Sequence, residues 1–498
     1  MQAVQKNGFI GSEDNPSPSG SEQKTTWETP VLGDTAQTRG REGKFASLSM
    51  KTVEEDLVRF FIELGNLRHY QGSLYFYRSR RGFWQRLAKA DTALALRKYI
   101  NEDCSQKIGA RRMHQVINTM LELPELEADF SVQHEKLLNV TNGVVDLETL
   151  KVTPHDRSLR FTYCLNFCFI KSAVLEDAPT FLRYLQTSLE YDTMRKKTRC
   201  FLETIGYCVS SLRGARKAFF WIGKTSAGKS KFLQVIEHVV GEENVSNLAL
   251  HDIAERFKTA KLLHARLNVS SEIRTSKLKN LDVWKDVVSG ERITVETKGG
   301  HPFEFSPNVR MIFAGNELPK LAEADAENAV LSRIKVILFN FSIPRSEWDH
   351  ELVEKLCMEK DVIFSLAVAT LPGLIANHYI FARTADEEAF IENYVFEQNS
   401  AKEFFLSCCC FEKGARVHVR PLYDVYSAYC RDNAVEAVSE SDFKRTILKE
   451  GVIPRKFRLN GSKPLAGYIG VRMKTIEELL GQDSVLDVQP PKQESVAE

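Results

Sequence analysis

The sequence predicts a multidomain α/β protein: a central core of strands alternating with helices, an α+β module before it, and a small helical module ending in a hairpin after it. Three observations carry that expectation. Short apolar stretches alternate with amphipathic ones from about 216 to 342. Within that block, "WIGKTSAGKSKF" sets a glycine-rich octad directly between an apolar run and an amphipathic segment. Near the C-terminus, three helical patterns precede the strand-like "PRKFRLNGSKPLAGYIGVRMK".

Bulk properties narrow the class. A length of 498 residues exceeds what one hydrophobic core usually serves, so several modules are expected. The chain is 43% hydrophobic and 27% charged, which is ordinary for globular proteins. No run approaches the roughly 18 apolar residues of a membrane span, so no membrane association is expected. The start, "MQAVQKNGFIGSED", has neither a basic nor an apolar leader region, and the expected location is the cytoplasm. Ten cysteines, scattered or clumped as "SCCCF", fit free thiols in a reducing compartment. Cys164 and Cys168 are spaced like half of a metal knuckle, but no second pair follows and they read as structural. The net charge of +1 does not announce a nucleic-acid binder, although an average can hide a local patch.

Taken in order, residues 1–50 are rich in Ser, Thr, Gly, Pro and charge and are expected to be a disordered leader. An α+β module is expected over 51–175. In "TVEEDLVRFFIELG", Leu57, Phe60, Phe61 and Leu64 share a helical face that stops at Gly65. "ADTALALRKYINED" and "ARRMHQVINTMLEL" are further helices, and "KLLNVTNGVVDLETLKVTPH" alternates around Asn142-Gly143 as a hairpin. Helices over 176–215 lead into the core at 216–342, a helical connection covers 343–395, and 396–478 has the plan of a winged helix. The last residues, 479–498, are expected to be a disordered tail.

The chemistry centres on the octad. Gly223, Gly228, Lys229 and Ser230 match G-x-x-x-x-G-K-[ST]. A phosphate chain needs backbone N–H groups turned inward from a loop too tight for side chains, a lysine near the β/γ-phosphates and a hydroxyl for Mg²⁺. "AFFWI" supplies the strand before the loop, and "KFLQVIEHVVG" the helix after it. Hydrolysis also needs a carboxylate on a neighbouring strand end, and "LLHARLNVSSEI" offers Glu272. "VRMIFAGNELP" ends a further strand at Asn316, whose amide can orient a water, or simply cap the turn before Pro319. Between these strands "ERITVETKGGHPFEFSP" reads as a hairpin with Lys298 and His301 at its tip.

The ordered set of phosphate loop, "SSEI", "VWKDVVSGERITVETKGGHPFEFSP", "IFAGNELP" and "ENAVLSRIKVILFNF" resembles superfamily 3 helicases, most of all the phage and plasmid primase-helicase family that includes the poxvirus primase-helicase. The resemblance spans about 55–475 and implies an AAA+-like P-loop ATPase core that uses ATP and Mg²⁺. By that resemblance Lys229 and Ser230 are the ATP and Mg²⁺ ligands, Glu272 is the acidic residue that also faces the metal, and Asn316 is the polar sensor. Lys285, Gly290 and Glu291 fall in the motif before the hairpin, and Lys298 and His301 face DNA. Arg333 corresponds to the arginine that reaches a neighbouring subunit's ATP, which implies a homo-oligomer, by resemblance a hexamer.

Three departures stand out. Ser271-Glu272 replaces a pair of acids, Ser332-Arg333 replaces Arg-Arg, and only a modest module stands upstream where many relatives carry a primase, so primer synthesis is expected on a separate polypeptide. In the C-terminal module Lys444, Arg445, Lys449, Arg455, Lys456, Arg458, Lys463, Arg472 and Lys474, interleaved with Phe443, Phe457 and Tyr468, read as a surface for duplex DNA. The expected function is an ATP-dependent DNA helicase of a phage, prophage or mobile element, in a bacterial host cytoplasm, moving along one strand in a ring pore. The alternatives are an ATP-switched origin-binding initiator and a motor that translocates DNA without unwinding it.

Overall fold

The computed structural model describes residues 53–100, 108–132, 134–189, 196–273, 281–299, 301–319, 329–398, 400–433, 435, 437–458, 464–475 and 477–479. The expected leader over 1–50 and the tail beyond 479 lie outside the described residues. No helix among the described residues is long and apolar enough to cross a membrane.

The chain divides into two compact units, the smaller formed by the described parts of Met1–Phe60 and Lys89–Met120. Its helices are most of α1 (Val53–Leu64), α2 (Lys89–Arg97) and most of α3 (Ala110–Glu122). Glu54, Glu55 and Asp56 occupy the first turn of α1, where carboxylates oppose the positive helix end. Arg112 of α3 pairs with Glu54 at 3.3 Å, and Leu57, Leu96, Met113 and Val116 are buried.

The larger unit holds Phe61–Ala88 and Leu121–Glu498. It opens with an antiparallel sheet of β1 (Leu67–Tyr70), β2 (Ser73–Arg78) and β3 (Phe83–Arg86), followed by β4 (Leu137–Val140), β5 (Gly143–Asp146) and β6 (Val152–Thr153). Val140 pairs with Gly143, so the hairpin loop is Thr141-Asn142, one residue earlier than the Asn-Gly dipeptide alone indicates. The Asn142 amide donates to Phe169 O at 3.0 Å and its Oδ1 accepts from Phe169 N, which fixes that register by a long-range tie.

Helices α4 (Pro179–Ser188) and α5 (Lys196–Val209) lead to the central sheet. Its strands are β7 (Ala218–Gly223), β8 (Val245–Ser246), β9 (Leu267–Ser270), β12 (Arg310–Gly315) and β13 (Ile334–Phe339), in the order β13-β7-β12-β9-β8 and all parallel. Both faces are covered, as parallel sheets require. Phe219 and Trp221 enter one core with Phe201 of α5 and Phe232 and Ile236 of α6 (Lys229–Val240). Phe220 and Ile222 enter a second core with Trp284 and Val287 of α7 (Leu281–Ser289). Each such side chain contributes about 1.5–3 kcal/mol through burial, so the five-residue apolar run before the loop is explained by two cores rather than one. Between α7 and β12, the short strands β10 (Ile293–Val295) and β11 (Phe303–Phe305) form the expected hairpin, with Ile293 opposite Phe305.

The segment expected to continue as helix is three helices, α8 (Leu352–Met358), α9 (Lys360–Ala369) and α10 (Leu371–Ala376), separated at Glu359 and Thr370. Gly206 on α5 lets α9 approach: a Cβ there would lie 2.5 Å from Ala367 O. Helix α11 (Ala385–Gln398) is tied to β13 by the Lys335–Glu387 pair at 2.6 Å, both side chains being buried.

The C-terminal module consists of α12 (Ser400–Cys408), β14 (Cys409–His418), α13 (Val419–Asp432), α14 (Glu440–Lys449), β15 (Ile453–Phe457) and β16 (Leu465–Met473). Its sheet runs β14-β16-β15. Helix α12 stops at Cys408, so the cysteine run is divided between helix and strand, with Cys409 and Cys410 in β14. The interleaved aromatics are corrected: Phe443 and Tyr468 are fully buried, and Phe457 is buried in a stack on the His418 ring. Phe443 and Tyr468 join the module's core with Phe404, Phe405 and Tyr426, and all three interleaved aromatics build the module rather than face a ligand.

Candidate functional site

The site begins where β7 ends. Its neighbours are β12 on one side and β13 on the other: the chain leaves β7 toward β8 at the far edge and later returns from β12 across β7 to β13, so connections running in opposite directions flank the carboxyl end of β7. The glycine-rich octad occupies that end. Gly228, at φ 83, caps α6, and a Cβ there would come within 2.9 Å of the Tyr184 ring. Gly223 permits equally close contact, since a Cβ would lie 2.0 Å from Phe339 O of β13. Neither position tolerates a side chain, which explains why both glycines are needed for this loop path.

Lys229 is the first residue of α6 and is buried. Its Nζ donates to Gly223 O and Lys224 O, each at 2.7 Å, so the ammonium is held inside the loop by the loop's own carbonyls. Burial holds this ammonium below the usual lysine range. Ser230, one residue on, is exposed in the first turn of α6.

Strand register assembles the other groups. Gly315 pairs with Ile222, which places Asn316 beside Gly223 at the next step. Ser270 pairs with Phe313 on the other side of β12, so Glu272 emerges two residues beyond β9 at the same edge. Both Glu272 and Asn316 are exposed, and the Glu272 carbonyl accepts from Ser270 Oγ at 3.1 Å. An open cleft of about 400 Å³ is lined by Gly223, Lys224, Thr225, Asn316, Asn340 and Phe390. The structure thus brings Gly223, Gly228, Lys229, Ser230, Glu272 and Asn316 to one edge of the sheet. No cluster of three or more His, Cys, Asp or Glu side chains capable of holding a metal ion occurs among the described residues.

Arg333 lies elsewhere. It immediately precedes β13, whose first residue pairs with Ala218 and whose last pairs with Gly223. The six residues of β13 separate it from its own glycine-rich loop by about 20 Å at 3.3 Å per residue. Its Nε donates to Ser289 Oγ at 3.3 Å and its Nη1 to Ala329 O at 3.0 Å.

That opposite edge carries a feature the linear sequence did not disclose. Lys217 precedes β7, Arg266 precedes β9, Arg310 begins β12 and Arg333 precedes β13, so four adjacent parallel strands each start on a cation. Lys217 Nζ donates to the carbonyls on both sides of Arg333, Ser332 O at 2.5 Å and Ile334 O at 3.3 Å. Burial, then the positive charges of Arg383 and Lys335, hold Lys217 below the usual lysine range. The signal was present as "KAFFW", "RLNVS", "RMIFA" and "RIKVI", but only the strand order makes it a row.

Lys298 and His301 are exposed at the hairpin tip, while Ile293 and Val295 are buried at its base. Lys285 on α7 pairs with Asp282 at 3.0 Å, and Gly290 takes φ 71 directly after the helix. In the C-terminal module Lys444, Arg445, Arg455, Lys456 and Arg458 are exposed, with Arg445 paired to Asp442 at 3.2 Å. Arg472 is withdrawn from that set, since it bridges Glu412 and Glu478.

Residues 46–190 match the family described as D5 N terminal like, and residues 221–333 match a family of unknown function, DUF5906. No curated protein matches the chain. Solved structures similar to it include two described as A form apo structures of the NrS-1 C terminal region, each 12% identical, with TM-scores of 0.48 and 0.47. A third, described as the apo structure of the same region, is 11% identical with a TM-score of 0.47. Each covers 83% of this chain and 98% of the solved chain.

Proposed function

We propose that this chain is an ATP-dependent DNA helicase of the phage primase-helicase kind, working as a homo-oligomeric ring, hexameric by resemblance, on DNA replication. The observation that carries the reading is the assembly at the carboxyl edge of the sheet: a tight loop with no room for a Cβ at Gly223 or Gly228, a buried lysine ammonium inside it, and a polar residue just past each of two neighbouring strands. The match of residues 46–190 to the D5 N terminal like family supports it.

In this reading the Lys229 ammonium exchanges its two carbonyl partners for phosphate oxygens, a charge-assisted contact stronger than the neutral one it replaces. Ser230 and Glu272 would hold Mg²⁺, which when bound spreads the charge of the phosphates. Asn316 orients a water from the adjoining strand end. Arg333 has no access to its own loop, so its target is the nucleotide of the next protomer, where such a cation contributes about 10³ to 10⁵ in rate. Ser332 stands where relatives carry a second arginine, and Lys217, hydrogen-bonded to both flanks of Arg333, supplies that charge from the neighbouring strand. Exposed Lys298 and His301 grip one DNA strand in the pore, and the C-terminal module, read as a winged helix with Lys444, Arg445, Arg455, Lys456 and Arg458 outward, contacts the duplex. Primer synthesis belongs to a separate primase.

Fork unwinding with ATP and Mg²⁺ tests the proposal. Wild type should separate the strands, and Lys229→Ala and Arg333→Ala should not. Mixing the two variants should restore part of the ATPase activity, because mixed interfaces pair an intact loop with an intact arginine. A wild-type protein that hydrolyses ATP on DNA yet leaves forks intact would replace the helicase by a translocating motor or a switch.

A further inference from the structure

The segment that follows β13 runs along the glycine-rich loop before α8 begins. Phe339 O accepts from Lys224 N at 3.3 Å, Ser342 Oγ donates to Thr225 O at 2.9 Å, and Ile343 N donates to Ser226 O at 3.1 Å, so three consecutive loop residues are tied to it. After Pro344 a single turn, Arg345–Glu347, folds the chain back. The Trp348 indole N–H then donates to Ile343 O at 3.0 Å, and Asp349 pairs with Lys355 of α8 at 2.9 Å. This strap is fixed at both ends. Through Ile343, Trp348 is held two hydrogen bonds away from the loop backbone at Ser226.

Trp348 differs from the other described tryptophans. Trp84, Trp221 and Trp284 are 4%, 0% and 3% exposed, whereas Trp348 is 43% exposed and Phe341, earlier on the same strap, 44%. Large rings left in water cost free energy that a flat apolar ligand recovers. The Arg345 guanidinium lies over the Trp348 ring, 5.7 Å from its centroid. An exposed cation over a ring contributes less than a stacked base does, so a base displaces it. Strand order gives the direction of such a ligand. Glu272 and Asn316, read as facing the metal and the water, follow β9 and β12, which lie on one side of β7. The terminal phosphate of a triphosphate in the loop then points to that side, and the nucleoside leaves on the other, toward β13 and the strap.

We infer that Trp348 is the platform on which the base of the bound nucleoside triphosphate stacks. The inference deepens the proposed ATP site and rests on it. Stacking uses the π-face that every base has, so the strap separates a nucleotide from a bare polyphosphate rather than one base from another. Because the indole N–H is already committed to Ile343 O, the ring is oriented before the ligand arrives and little ordering remains to be done on binding.

Calorimetric binding to the full chain tests this, with the Mg²⁺ complexes of AMP-PNP, a non-hydrolysed ATP analogue, and of inorganic tripolyphosphate as the two probes. Trp348→Ala should weaken AMP-PNP by about 5- to 150-fold, the loss being confined to the ligand that carries a base, and Trp348→Phe should recover most of it. Should the alanine variant fail to fold, emission serves: AMP-PNP but not tripolyphosphate should quench the tryptophan fluorescence of the wild type, and Trp348→Phe should bind AMP-PNP without that quenching. Equal losses for both ligands in Trp348→Ala would assign Trp348 to holding the loop and overturn the inference. An unchanged AMP-PNP affinity in that variant, or quenching that persists in Trp348→Phe, would overturn it as well. A wild type that binds both ligands equally well would leave the phosphate site standing and remove only the platform, whereas a wild type that binds neither would remove the site and the platform together.

Discussion

The two edges of the central sheet are built from the same five strands and differ in every chemical respect. At the carboxyl edge stand Gly223, which ends β7, Asn316, one residue past β12, and Glu272, two residues past β9, with a buried lysine in a glycine-rich loop. At the amino edge Lys217, Arg266, Arg310 and Arg333 stand in a row. One edge carries the loop and its lysine and the other a row of cations, of which Arg310 is buried and donates to Leu212 O and Asn308 Oδ1 while Arg266 donates to Val209 O and Ser211 Oγ, and β13 keeps the two edges about 20 Å apart. On the proposed reading a single protomer holds two halves of a site that it cannot close on itself. On that reading the difference teaches that Arg333, at the amino edge, serves the loop of the next molecule.

The sharpest way to break this comparison is Arg333→Ala. Nucleotide affinity should be nearly unchanged while turnover falls by about 10³ to 10⁵, measured by equilibrium binding and steady-state hydrolysis on the same preparation. Loss of affinity equal to the loss of turnover would place Arg333 in a structural role. Next in size is Glu387→Gln, which leaves the buried Lys335 ammonium two residues beyond Arg333 without its carboxylate. The expected cost is about 3–5 kcal/mol, read from denaturant unfolding, and a midpoint unchanged within error would mean that water reaches Lys335. Lys229→Ala addresses the other edge: turnover should fall by about 10² to 10³ together with nucleotide binding, and the melting temperature without nucleotide should hold or rise because a buried ammonium is removed. The smallest effect is expected from Lys298→Ala, which should lower the salt dependence of single-strand binding by about 0.7 and leave DNA-free ATP hydrolysis untouched.

What could be read from the linear chain depended on whether the signal was local. The loop and its flanks were legible because Trp221 and Ile222, the two glycines and the face of Phe232 and Ile236 are contiguous, each demanding its neighbour. The β10–β11 hairpin was legible for the same reason. Strand β14 was not: "CCFEKGARVH" lacks alternation, and its pairing with β16 shifts register between Phe411 and Arg416. The buried positions of Phe443, Phe457 and Tyr468 depend on three helices closing over one sheet, which spacing alone does not reveal. The cation row was invisible because adjacency follows the order β13-β7-β12-β9, set by non-local pairing.

Strand β13 merits one more consequence. Its last residue, Phe339, touches the loop through the carbonyl that Gly223 approaches, and Lys224 N donates to that same oxygen at 3.3 Å. Its first residue follows directly on Arg333. On the proposed reading the strand is a push rod whose ends sit in two successive chambers of the ring. Firing in one chamber is then mechanically legible in the next, and hydrolysis should run around the circle in sequence, with a Hill coefficient above one.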